Sequence, residues 1–96
     1  MTHPMNSILI NRIDDVATAI VNLFRGDVGL YACQDTVVEV LLAEDIPQYH
    51  KFAVRDIRQN EVVRKYGEPI GRAVCDIGKG SHVHVHNIVS SGRMDP

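Results

Sequence analysis

Apolar and polar residues alternate along short stretches of this chain, a pattern typical of half-buried β-strands. The stretches are rich in β-branched side chains, and turns containing glycine, asparagine or proline separate them. Pro47 ends one stretch because it has no N–H group to donate to a strand ladder. The pattern predicts strands at residues 7–10, 35–43, 50–55, 61–66, 70–75 and 82–88.

Residues 14–24 fit two structures equally well. Apolar residues recur at helical spacing from Val16 to Phe24, and the preceding Asp14 or Asp15 could cap a helix. The same segment is rich in β-branched residues, which favour a strand. The predicted fold is therefore mostly β, a small domain of short strands with tight turns and room for one short helix.

An Asp-Ile pair recurs at residues 45–46, 56–57 and 76–77, each time followed by a turn and then a predicted strand. We expect each aspartate to bond its own backbone two residues further on, and each isoleucine to enter the core. Asn60 and Gly80 can supply the left-handed conformation that such turns need. The repeated pair is thus interpreted as a set of structural corners.

Composition limits the possible functions. The chain has 96 residues, of which 45% are hydrophobic, so we expect one domain over residues 1–96 with flexible ends at 1–6 and 90–96. A net charge of −2 argues against a nucleic-acid-binding protein, which would carry a basic face. The absence of a long apolar run and of a secretory signal predicts a cytoplasmic protein without membrane contact. Cys33 and Cys75 lack metal-site or redox spacing and are expected to be reduced.

Three of the five histidines are concentrated near the C-terminal end, at His82, His84 and His86. In a strand they would share one face, with Val83 and Val85 on the other. Aligned imidazoles suit a metal, an anion or a second protein. Because alternate residues of a strand lie ~6–7 Å apart, we expect at most two of the three on one ion, with further ligands from elsewhere.

Several ordered motifs resemble one specific family. The motifs lie at residues 50–57, 63–67, 70–73, 76–77 and 82–87. Together they resemble the small subunit, or N-terminal SAF-type domain, of the altronate and galactarate dehydratases. The small subunit of sulfolactate sulfo-lyase is similar to the same pattern. The resemblance implies a β-clip (SAF-like) domain that works with a larger catalytic subunit on a sugar acid. It also implies a divalent metal, commonly iron(II), and elimination of water to give a 2-keto-3-deoxy acid.

Such an elimination needs a base for the proton next to the carboxylate, a cation for the enediolate, and an acid or metal for the leaving hydroxide. Imidazole suits iron(II) and can act as acid or base near neutral pH, and lysine suits a carboxylate. The expected site residues are His84, His86 and His50 as catalytic groups, Lys51, Lys65 and Asn87 as substrate-binding groups, and His84 and His86 as metal ligands, with His82 as a further candidate.

Two alternative functions remain open. In the first, the chain is the small subunit of a sulfolactate sulfo-lyase, in which sulfite leaves in place of hydroxide. In the second, it is a non-catalytic module that binds a carbohydrate or a partner. Self-association of the isolated chain through a short edge strand is a further option. One departure from the family pattern is Tyr49, where a glycine usually precedes the His-Lys pair, and it changes the expected shape beside His50.

Overall fold

A computed structural model describes residues 5–90, and all of their regular structure is β-strand. The predicted mostly β, SAF-like fold is confirmed. No described residues form a helix long and apolar enough to cross a membrane. The nine strands are β1 (Ser7–Ile8), β2 (Val16–Ala19), β3 (Val28–Cys33), β4 (Thr36–Leu41), β5 (Lys51–Ala53), β6 (Val62–Lys65), β7 (Glu68–Ala73), β8 (His82–Val83) and β9 (Ile88–Ser90).

The flexible ends predicted from the sequence lie largely outside the described residues. Asn6, at the inner boundary of the first end, donates its backbone N–H to the carbonyl of Leu30 at 3.1 Å. Ser90 pairs with Gly71 in the ladder between β9 and β7. Both residues are therefore held by the fold.

The strand alternative for residues 14–24 is correct, and the option of a helix there is wrong. Strand β2 lies between β1 and β5, and the two aspartates before it bond to a neighbouring hairpin instead of capping a helix. Asp15 accepts the backbone N–H of Arg64 at 2.8 Å, and Asp14 accepts that of Gly67 at 2.7 Å. Tertiary hydrogen bonds to the buried carboxylates thus override the helical spacing of the apolar residues.

The four-stranded sheet β1-β2-β5-β8 divides the hydrophobic core into two parts. Side chains alternate between its faces, so Ala17 and Phe52 pack into one cluster while Val16 and Ala53 pack into the other. The β3-β4 hairpin covers the first face, and the sheet β6-β7-β9 covers the second. This arrangement places β5 inside the central sheet and β8 at the edge of that sheet, and these two strands carry His82 and lead to His50 and His84.

Four corners of similar construction connect these sheets, and they associate in two pairs. Ile57 and Ile77 exchange both of their backbone hydrogen bonds, at 2.8 and 2.7 Å. Leu23 and Ile46 do the same at 2.9 and 2.8 Å. All four of these side chains are buried, as predicted for the isoleucines of the Asp-Ile pairs.

The aspartates of these corners act across each pair. Asp56 accepts the backbone N–H of Lys79 at 2.9 Å, and Asp76 accepts that of Gln59 at 2.8 Å. The prediction that each aspartate bonds its own backbone two residues further on is therefore wrong. The reason is that the exchanged backbone bonds place each carboxylate beside the turn of the opposite corner, so the two turns stabilise each other.

Each corner contains a residue with positive φ at the third position of its closing turn. The four residues are Gly26 (φ 92°), Tyr49 (φ 69°), Asn60 (φ 73°) and Gly80 (φ 88°). Three are residue types that tolerate this conformation, whereas a tyrosine adopts it at a cost. Tyr49 therefore preserves the turn that a glycine would form, and His50 follows the turn as it would in the family pattern.

Replacing Tyr49 by glycine should raise the free energy of unfolding by about 0.5–1 kcal/mol, because the strain of a left-handed tyrosine exceeds the added chain entropy of glycine. The matched control is Gln59→Gly, at a turn position without positive φ, which should lower stability by about 0.5–1 kcal/mol. Urea denaturation measures both. Equal losses for the two variants would show that Tyr49 is unstrained.

Candidate functional site

The predicted strand over residues 82–88 is wrong. Strand β8 ends at Val83, and the next four residues form a turn before β9. The Asn87 side chain builds this turn, since its amide donates to the His82 carbonyl at 2.7 Å and accepts the backbone N–H of His84 at 2.9 Å. A local side-chain bond of this type competes with strand pairing, and here it ends the strand. The shared strand face expected for the three histidines therefore does not exist.

The histidines nevertheless meet, because β5 brings His50 to them. The register of β5 on β8 pairs Lys51 with Val83, and one step further along the strands His50 faces His84. The His50 and His84 rings are stacked with centroids 4.3 Å apart. Nδ1 of His50 lies 2.8 Å from Nε2 of His82, within hydrogen-bond distance.

His50, His82 and His84 form a compact group in which one ring nitrogen from each lies within 4.8 Å of the other two. All three side chains are half-buried. The exposed His86 ring lies 5.3 Å from that of His82 and does not belong to this group. Imidazole nitrogens bind divalent transition metals at about 2.0–2.1 Å, so the three stacked rings would have to turn toward a common point to hold one ion.

The surroundings of His82 and His84 favour the neutral form of their imidazoles. Burial, followed by the neighbouring histidines, lowers the pKa of His82, and Glu44 opposes this only in part. The pKa of His84 is also lowered, by desolvation first and then by His50, Lys51 and His86. A neutral imidazole can bind a metal or accept a proton, so both residues are in the reactive form at neutral pH. Glu44, which also accepts the backbone N–H of His82 at 2.8 Å, was missed because nothing in the sequence links it to that histidine.

Two predicted substrate-binding lysines lie beside this group. Lys51 and Lys65 are both half-buried, and in the described part of the chain neither forms an ion pair. Burial and then the charge of Lys65 lower the pKa of Lys51. Nζ of Lys65 lies 4.7 Å from the centre of the Tyr66 ring, a cation–π distance. Both ammonium groups therefore lack a carboxylate partner among the described residues.

Asn87, the third predicted substrate-binding residue, is buried, and both polar atoms of its side chain bond to the backbone of the histidine turn. In the described structure Asn87 therefore holds the backbone of the histidine turn in place. Lys51 lies close enough to His84 for its charge to lower the pKa of that histidine, and Lys65, at the end of β6, acts in the same way on the pKa of Lys51.

Comparison with known proteins identifies related chains. Residues 5–91 match the family described as the altronate/galactarate dehydratase SAF domain. The altronate dehydratase of Escherichia coli K12 is 42% identical over 83 residues, which are 86% of this chain and 16% of that enzyme. The altronate dehydratase of Bacillus subtilis is 39% identical over 80 residues, which are 83% of this chain and 15% of that enzyme.

A second kind of relative is the (2R)-sulfolactate sulfo-lyase subunit alpha of Chromohalobacter salexigens, which is 46% identical over 55 residues. The match covers 57% of this chain and 58% of that subunit. This chain therefore spans about one sixth of the altronate dehydratases and somewhat more than half of the sulfo-lyase subunit. With its all-β architecture and a family match over almost its whole length, the chain belongs to the altronate/galactarate dehydratase SAF domain family.

Proposed function

We propose that this chain is the small subunit of a sugar-acid dehydratase of the altronate/galactarate type, and that it acts with a large catalytic subunit. The observation that carries this proposal is the group of three half-buried histidines beside two lysines without ion-pair partners. General acid–base groups next to cations are what an elimination from a carboxylic acid needs.

The need for a partner follows from the exposure of the site. The histidines and lysines lie at a half-exposed surface, whereas a pocket of roughly 300 Å3 or more would be needed to enclose a sugar acid. Relatives named altronate dehydratase have about six times the length that matches this chain, and the sulfo-lyase relative is named as a subunit. Both facts support a larger catalytic partner that covers this face.

In the proposed reaction a base removes the proton from C2, next to the carboxylate, and the C2–H electrons form the C2–C3 double bond as hydroxide leaves C3. The resulting enol becomes the 2-keto-3-deoxy acid by moving its hydroxyl proton to C3. When no metal is bound, neutral His84, with its lowered pKa, suits the base, and His50, whose ring stacks on that of His84, suits the acid that meets the leaving hydroxide. Lys51 and Lys65 would hold the carboxylate. His86, exposed beside His82, would reach the part of the substrate bound by the partner.

The histidine group also fits the divalent metal that the family resemblance implies. With the ion bound, His84 would hold it together with His50 and His82, since these three share the close ligand atoms and His86 does not. In that form of the site the three imidazoles would be ligands, and the exposed His86 or a group of the partner would act as the base. Iron(II) bound there would supply positive charge for the enediolate or for the leaving hydroxide. Binding would need neutral imidazoles, which the lowered pKa values of His82 and His84 favour.

Cobalt(II), an air-stable substitute for iron(II), should bind the purified chain at one site, seen by calorimetry and by the visible absorption of the ion. His50→Ala should weaken this binding by about tenfold or more, because it removes one of three imidazole ligands. The matched control is His86→Ala, for which we expect a change below about threefold. Equal weakening by both variants would contradict the assignment of His50 over His86.

The product identifies the reaction. The chain, a candidate large subunit and iron(II) are incubated with altronate, galactarate or (2R)-sulfolactate, and 2-keto-3-deoxy acid and sulfite are both measured. We expect the 2-keto-3-deoxy acid from a sugar acid. Release of sulfite from sulfolactate, without dehydration of either sugar acid, would establish the second candidate instead. One observation favours the sulfo-lyase function: the match covers 58% of the sulfo-lyase subunit, a larger share than the 16% of the altronate dehydratase.

A further inference from the structure

One row of side chains crosses the central sheet beside the histidine group. The strand registers pair Thr18 of β2 with Lys51 of β5, and Lys51 with Val83 of β8. Directly paired residues of antiparallel strands project from the same face, with Cβ atoms about 4.5–5.5 Å apart. The Thr18 hydroxyl and the Lys51 side chain are therefore immediate neighbours.

Thr18 has an unusual hydroxyl. Its Oγ1 is buried and lacks a hydrogen-bond partner, and it is the one such side-chain polar atom among the described residues. A buried hydroxyl without a partner destabilises a fold, whereas a valine of the same shape would avoid this cost. The residue as a whole remains partly exposed while its hydroxyl oxygen is covered, so a ligand on this face would reach the hydroxyl once the side chain turns about its Cα–Cβ bond.

The charges around this hydroxyl are positive and unpaired. Lys51 feels the charge of Lys65, and no described carboxylate lies within ion-pair distance of either ammonium. The nearby carboxylate of Asp15 is occupied by the Arg55 guanidinium, at 2.7 Å. Two cations and a free hydroxyl donor on one half-buried face are complementary to a carboxylate that carries a hydroxyl on the adjacent carbon.

We propose that Thr18, Lys51 and Lys65 form the subsite for the 2-hydroxycarboxylate end of the substrate. Within this subsite the lysines bind the carboxylate oxygens, and the Thr18 hydroxyl bonds to the carboxylate or to the 2-hydroxyl. This inference rests on the proposed function and assigns Thr18, which is otherwise only a strand residue. The 2-hydroxycarboxylate end is common to altronate and sulfolactate, so the subsite serves either leaving group.

The test uses the complete chain and glycerate, the smallest acid with hydroxyls at both C2 and C3. Backbone amide signals are followed by NMR during titration at constant ionic strength. Glycerate should shift amides around Thr18, Lys51 and Lys65 with a dissociation constant of about 1–10 mM. Glycerol, which lacks the carboxylate, should leave them unchanged.

Thr18→Val should weaken glycerate binding by at least fivefold and Lys51→Met by at least tenfold. The control Lys79→Met removes an exposed lysine elsewhere and should change binding less than twofold. A merely structural threonine would lower the melting temperature when replaced, whereas Thr18→Val should keep or raise it, because the unpaired hydroxyl is removed.

Each outcome decides the proposal. The proposal is overturned if glycerol shifts the amide signals as much as glycerate does. It is also overturned if Thr18→Val binds glycerate as tightly as Lys79→Met does. The titration needs no partner, so its failure is distinct from a failure of the lyase assay. Glycerate binding lost in Thr18→Val, together with no lyase activity when the unmodified chain is mixed with the large subunit, would support the subsite and reject the proposed reaction.

Discussion

Replacing His84 by alanine should lower kcat/KM of the dehydratase assembly that we propose by about a hundred- to ten-thousand-fold, the range of a general acid or base. The prediction follows from geometry and charge together. The His84 ring stacks on His50 at 4.3 Å, and its lowered pKa keeps it neutral. The loss should appear mainly in kcat, because the lysines that would hold the carboxylate remain in place.

Val85→Ala is the control for the shape of the same turn, since this side chain is 81% exposed in the isolated chain. It should leave kcat within about twofold, and circular dichroism should show both variants folded. A loss in kcat of less than about threefold for His84→Ala would exclude this residue from the chemistry. If His84→Ala has this small effect and His86→Ala lowers kcat strongly, His86 would be the acid or base instead.

The largest effect on stability is expected for Gly80→Ala. A Cβ atom at this position would lie 2.2 Å from the backbone oxygen of Leu41, and φ is +88°. Because the obstacle is backbone, relief requires a shift of the chain that joins β4 to the corner before β8. We expect a loss of about 3–5 kcal/mol in the free energy of unfolding.

Gly26→Ala provides the matched control for this prediction. Gly26 occupies the equivalent turn position at φ +92°, but a Cβ atom there would meet nothing within 4 Å. Its replacement should cost only about 1–2 kcal/mol, the strain of the left-handed conformation. Urea denaturation compares the two variants. Equal losses would mean that contact with Leu41 does not hold this corner, whereas a Gly80→Ala chain that cannot fold beside a folded Gly26→Ala chain agrees with the prediction.

The corners of this fold were predictable from the sequence, but their hydrogen bonds were not. A buried isoleucine after an aspartate and a turn residue such as Asn60 or Gly80 are local signals, and they appear in the chain as short motifs. The bonds from Asp56 and Asp76 to the opposite corner depend on a pairing of segments about 20 residues apart. Local patterns carry no information about such pairing.

Strand β3 was missed for a similar reason. It contains Gly29 and Ala32, which are weak strand formers. The structure explains the glycine, since a Cβ atom there would lie 2.6 Å from the Phe52 ring. A residue that is poor for the strand alone is thus required by packing against the central sheet.

The sequence indicated which histidines cluster, but it did not indicate how they are arranged. The sequence indicated clustered histidines through their alternation in residues 82–86, but Asn87 ends the strand and removes that alternation. The histidines meet because of the register between β5 and β8, which brings His50 against His84 across more than 30 residues of chain. Their catalytic and metal-binding roles remain predictions.

The central claim is that this face is part of an active site that a larger subunit completes. The most direct measurement is formation of 2-keto-3-deoxy acid from altronate or galactarate, with iron(II), by the chain alone, by the large subunit alone and by both together. We predict product only from the combination, with activity rising until the subunits are equimolar. Turnover by the chain alone, or full activity of the large subunit without it, would contradict the claim.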